Sequence, residues 1–169
     1  MNPASRTLAR FVFLGLALAA VTSICLIFGF VVSHRTSIAT TTASADVEFS
    51  RLRARFGNQQ PLLDMSRREP SGVAAQPAGP APLRSFHTVI FDTRGGPRLV
   101  RIDVPYWFAR RFAGRDGEFR WLGQLTFLDD TEFDPEAIRL SVDQLERRGP
   151  GLIADYRHPN GGQFISWVD

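Results

Sequence analysis

Apolar side chains fall into three regimes along this chain, and each regime predicts a different kind of element. From Phe11 to Val32, 22 residues run without a charged side chain. Thr22 and Ser23 are polar there, and both can hydrogen-bond back to their own helix. A helix of this length, at about 1.5 Å per residue, spans roughly 33 Å, close to a hydrocarbon core of about 30 Å. The block predicts a membrane-spanning helix.

The second regime is mixed. Ser33 to Ala45 is rich in Thr, Ser and Ala, and predicts an extension of the helix or a polar stalk. In Asp46 to Phe56, Phe49, Leu52 and Phe56 recur at i, i+3 and i+7, while Arg51, Arg53 and Arg55 mostly face elsewhere. This is a helix with one apolar stripe, stopped at Gly57-Asn58. It is expected to pack on the folded domain, and its basic side would also suit anionic headgroups. Pro61 to Met65 predicts a short strand. Glu69 to Pro82 then holds 4 prolines and 2 glycines with almost no bulky apolar residue. Such a stretch buries too little surface to offset its ordering entropy, which predicts a linker or long loop.

The third regime begins at Leu83. Phe86 to Asp92 is β-branched and aromatic, Arg94-Gly95-Gly96-Pro97 is a turn, and Val100, Ile102 and Val104 alternate with Arg101 and Asp103. These two runs predict an antiparallel hairpin. Pro105 suits the first turn of a helix through Phe112, with Phe108 and Phe112 on one face. Phe119 to Leu128 reads as a strand. Ser141 and Gln144 form a capping-box pattern for a short helix closed by Gly149-Pro150. Leu152 to Tyr156 and Phe164 to Val168 predict a second hairpin. The expected fold class is α+β: a single transmembrane helix, then a small, mainly antiparallel sheet of about five strands with two short helices. The expected organisation is a basic flank over 1–10, the span over 11–32, a stalk and juxtamembrane helix over 33–68, a linker over 69–82, and a C-terminal domain over 83–169.

Charge changes this picture in two ways. All 20 basic residues are Arg, so lysine nucleophile and Schiff-base chemistry are excluded. The net charge of +3 is uneven: Met1 to Pro82 carries 8 Arg and 4 acids, Leu83 to Asp169 carries 12 Arg and 13 acids. A near-neutral C-terminal half does not suit a nucleic-acid face. Arg6 and Arg10 precede the span, whereas Arg35 alone follows closely. The positive-inside rule therefore expects a cytoplasmic N-terminus and a domain outside the cytoplasm.

Arg6 and Arg10, with Ala43-Ser44-Ala45 downstream, are also the parts of a cleaved signal peptide. The apolar core is longer than the usual stretch of about 7–15 residues, and that site lies 13 residues beyond Val32. The expectation is a retained anchor. Cys25, the sole cysteine, follows bulky Ile24, which does not suit lipid attachment.

Candidate chemistry is sparse. His34, His87 and His158 belong to no metal-spaced cluster, and no Gly-x-Ser-x-Gly or phosphate loop is present. No cofactor is expected. The acidic run Asp129, Asp130, Glu132, Asp134 and Glu136 offers oxygens for a cation but lacks calcium-loop spacing. It supports an alternative reading as an enzyme or cation-binding domain. Tyr106, Trp107, Arg110 and Arg111 have the composition of a partner surface. Gly15, Ala19 and Ser23 recur every fourth residue and suit close contact between membrane helices, including a homodimer. The leading expectation is a non-catalytic binding or assembly module held to the lipid bilayer.

Overall fold

The computed structural model describes residues 3–64, 69–70, 82–111 and 140–169. It divides into two units, Met1–Ser33 and His34–Asp169.

The first unit is helix α1, Pro3–Ser33. Its stretch Val12–Phe30 has a mean hydropathy of 2.4 and none of it is buried. By length and composition α1 is able to cross a membrane, a test that a signal sequence near an N-terminus also passes. Ser23 Oγ donates to the Ala19 carbonyl at 2.8 Å, so the hydroxyl is satisfied within its own helix.

The second unit is α+β. Among the described residues its strands are β1 (Arg35–Ala39), β2 (Leu63–Asp64), β3 (Glu69–Pro70), β4 (Ser85–Asp92), β5 (Arg98–Pro105), β6 (Gly151–Arg157) and β7 (Gln163–Val168). They form one sheet in the order β1-β5-β4-β7-β6-β2-β3. The five longer strands pair antiparallel throughout, and β2 joins β6 in parallel. The expected hairpins are both present. The sheet unites them because β7 pairs with β4 over Phe86↔Val168 to Phe91↔Gln163.

The alternation of side chains gives the sheet two buried faces. The front face carries Val89, Phe91, Ile165, Trp167 and Leu152, packed beneath helix α2 (Thr42–Phe56) through Ala45, Phe49, Leu52 and Phe56. The back face carries Phe86, Ile90, Val100, Ile102, Val104, Phe164 and Val168, all buried. Helix α3 (Tyr106–Arg111) packs against β4 and β5. Helix α4 (Val142–Arg148) begins with the expected capping box: Gln144 N–H donates to Ser141 Oγ at 3.2 Å, and Ser141 N–H donates to Gln144 Oε1 at 3.0 Å. It ends at Gly149, whose φ of 72° suits glycine.

Two readings of the sequence change here. Residues 35–39, expected as helix extension or stalk, form a strand of the sheet, because a β5 neighbour is available to satisfy their backbone groups. Arg53, expected to face away, turns toward the sheet. Its guanidinium donates to both Asp155 oxygens, from Nε at 2.9 Å and Nη2 at 2.8 Å, and from Nη1 to Gln163 Oε1 at 3.0 Å. Gln163 Nε2 in turn donates to Asp46 Oδ1 at 2.7 Å. On the β5 side, Arg101 reaches Glu48 at 2.6 Å. The helix is thus fastened to the sheet by apolar packing in the middle and charged pairs at its flanks. The expected strand over Phe119 to Leu128, and Phe112, lie outside the described residues.

Candidate functional site

The residues expected to form a partner surface sit on α3, which starts where Pro105 ends β5. The structure separates them. Trp107 is 63% exposed, and Arg110 and Arg111 are also exposed. Tyr106 does not join them: it is only 6% exposed. Its hydroxyl donates to Glu146 Oε1 on α4 at 3.1 Å, and Arg110 Nε lies 3.3 Å from the same oxygen. Burial, followed by the neighbouring Glu146 carboxylate, raises the Tyr106 pKa. Tyr106 is therefore a neutral strut between α3 and α4. The surface that remains is Trp107 with Arg110 and Arg111. Beside α4 lies an open depression of about 420 Å³ lined by Asp143, Glu146 and Arg147. These side chains carry opposite charges, and one of them, Glu146, already holds Tyr106.

Gly15, Ala19 and Ser23 lie on one side of α1 and are exposed. No atom lies within 4 Å of where a Gly15 Cβ would stand, so that side has room for close approach. The acidic run 129–136 lies outside the described residues.

Sequence reasoning missed a cluster on the front face, at the end of the sheet where β4 begins. His87 Nδ1 lies 2.5 Å from Asp103 Oδ1 on β5, and its Nε2 lies 3.3 Å from Asp169 Oδ2 just after β7. The imidazole stacks on Trp167, with ring centroids 4.9 Å apart and planes 15° from parallel. Arg55 of α2 stands over the same indole at 5.8 Å. Burial, the largest single influence, lowers the His87 pKa, but the Asp103 and Asp169 carboxylates together outweigh it and the net shift is upward. The alternation in β5 marks Asp103 as a surface position, and the pairing of β4 with both β5 and β7 brings it to His87. That pairing cannot be read from either segment alone.

The chemistry open to this cluster is limited by its geometry. The two ring nitrogens address carboxylates on opposite sides, so the three groups do not converge on one ion. Among the described residues, no group of three or more His, Cys, Asp or Glu is arranged to hold a metal. A nucleophile beside the ring is also missing from the described neighbourhood. Ser166 and Thr88 hydrogen-bond to one another at 3.1 Å, and both project to the back face. The cluster is an electrostatic clamp joining three strands.

No family model, curated protein or solved structure matches this chain.

Proposed function

We propose that this protein is a single-pass, membrane-anchored assembly module without catalytic activity. In this reading α1 stays attached as a signal-anchor, the N-terminus is cytoplasmic, and the α+β domain stands outside the cytoplasm, where it docks a protein partner. The observation that carries the binding role is Trp107. A small domain gains most by burying a large aromatic side chain, yet this one stands exposed beside Arg110 and Arg111. Exposed Trp with Arg is the composition of an interface hot spot.

Retention of the anchor is supported by the fold of the adjoining residues. The small-residue site Ala43-Ser44-Ala45 lies in the first turn of α2, with Thr41 as its N-cap and Ala45 buried against the sheet. Cleavage after Ala45 would remove β1 and the start of α2. The flanking Arg residues and the apolar length of α1 support the orientation.

The test uses the full chain in its native membrane. A photo-crosslinker placed at Trp107 is expected to yield a discrete adduct that an Arg110→Ala/Arg111→Ala variant loses. Alkaline carbonate is expected to leave the protein in the membrane pellet. Absence of any adduct at position 107 would remove the docking role, and release by carbonate would remove the anchor.

A further inference from the structure

The second hairpin turns through His158-Pro159-Asn160-Gly161-Gly162, inside the closing pair Arg157↔Gln163. Gly161 N–H donates to the His158 carbonyl at 3.0 Å, and His158 N–H donates to the Gly162 carbonyl at 2.8 Å. Proline in the second place and a glycine with φ of 99° in the fourth are what such a turn requires. Asn160 and Gly161 are exposed. The Asn160 side chain reaches over Gly161, and its Oδ1 accepts from Gly162 N–H at 3.2 Å.

Asn160-Gly161 is the one Asn-Gly pair in the sequence; Asn2 and Asn58 precede Pro3 and Gln59. Asparagine is a thermally labile side chain, and glycine after it removes the side chain that would hinder attack on the amide. The Gly161 nitrogen loses its proton and bonds to Asn160 Cγ, the Cγ–Nδ2 bond breaks, and ammonia leaves with that proton. The product is a cyclic imide. Water opens it at either carbonyl and returns the main chain as aspartate or as isoaspartate. In the folded turn both reacting groups are committed elsewhere. The proton is held by the His158 carbonyl, and the side-chain carbonyl by Gly162 N–H. Closing the ring swings the Asn160–Gly161 peptide out of the turn, so the end of the hairpin has to open first.

We infer that Asn160 is a modification site gated by the fold, and that its conversion marks chains in which the β6–β7 hairpin has stayed open. The isoaspartate form adds a carbon to the main chain inside the turn. Loop length fixes the register of a hairpin, and the residue after this turn is intolerant of a shift. Gln163 is 1% exposed. Its side chain accepts from Arg53 at 3.0 Å and donates to Asp46 at 2.7 Å, both on α2. A chain that acquires isoaspartate before β7 docks therefore loses the closing pair and the tie to α2. Since β7 lies between β4 and β6, the defect stays with a chain that has not completed its core.

The test is timed incubation of the full chain in detergent at mildly alkaline pH, folded or in urea, followed by digestion and mass spectrometry of the peptide that spans the turn. Conversion in urea is expected to be at least about tenfold faster than in the folded protein, with Asn58 lagging in the same samples. Gly161→Ala is expected to slow the conversion in urea several-fold, a readout that does not depend on the variant folding. After dilution from urea, isoaspartate is expected to be depleted in the refolded, protease-resistant fraction. Equal rates in the folded protein and in urea overturn the gate. Asn58 keeping pace in urea, or no effect of Gly161→Ala there, overturns the site. Isoaspartate equally abundant in the refolded fraction overturns its effect on the hairpin.

Discussion

His87 shows how one side chain ties strands that are distant in sequence. Its ring meets carboxylates from β5 and from the residue after β7 while stacking on Trp167. Since the folded pKa is raised above the ordinary value of about 6.5, the protonated ring stabilises the fold. That contribution is fully present below the unfolded pKa and is lost as the pH rises through the folded one. Urea unfolding midpoints are therefore expected to fall as pH is raised above about 6.5. A His87→Gln variant should show a flatter profile across that window. An equally steep decline in the variant would mean that another group controls it. Gly151 is a second residue with a specific demand. Its φ is +148°, and a Cβ there would overlap the Gln59 side chain, whose Oε1 accepts from Leu152 N–H at 3.1 Å. Glycine at this position lets the chain enter β6 alongside that amide.

At the scale of elements, α2 illustrates both the reach and the limit of reading a sequence. The spacing of Phe49, Leu52 and Phe56 places the apolar stripe correctly, since a helix repeats every 3.6 residues whatever it packs on. The same spacing says nothing of Arg53, because charge gives no direction until Asp155 and Gln163 are known to lie opposite. The capping box at Ser141 was legible for the same local reason. β1 was not: RTSIA has one bulky apolar residue, Ile38, and so carries no period, and it is β5 that makes these residues a strand. The candidate site was less legible than the fold. The exposed Trp107 and the buried Tyr106 are adjacent aromatics, and only packing against α4 distinguishes them. If α2 belongs to the core, Phe49→Ala should lower the stability of the entire domain by about 3–5 kcal/mol. Denaturant unfolding followed by circular dichroism measures this. A loss confined to α2, with the sheet unchanged, would show the helix to be peripheral.

For the whole molecule, the folding unit starts earlier than composition suggests. The Pro-rich stretch from Glu69 looks like a boundary, yet β1 and α2 precede it and complete the sheet and its front face. A fragment beginning at His34 is expected to unfold cooperatively. One beginning at Leu83 lacks Phe49, Arg53 and the β1 edge, and is expected to show no cooperative transition by calorimetry. Cooperative melting of the shorter fragment would place the core in the second half alone.

The position of β7 has a consequence for biogenesis. This strand lies between β4 and β6 and supplies Phe164, Ile165 and Trp167 to the two buried faces. No assembly of the preceding strands forms the finished centre without it. Here the keystone strand is the last of the described strands to be synthesised. The order of strands alone therefore delays closure of the described sheet until β7 has been made.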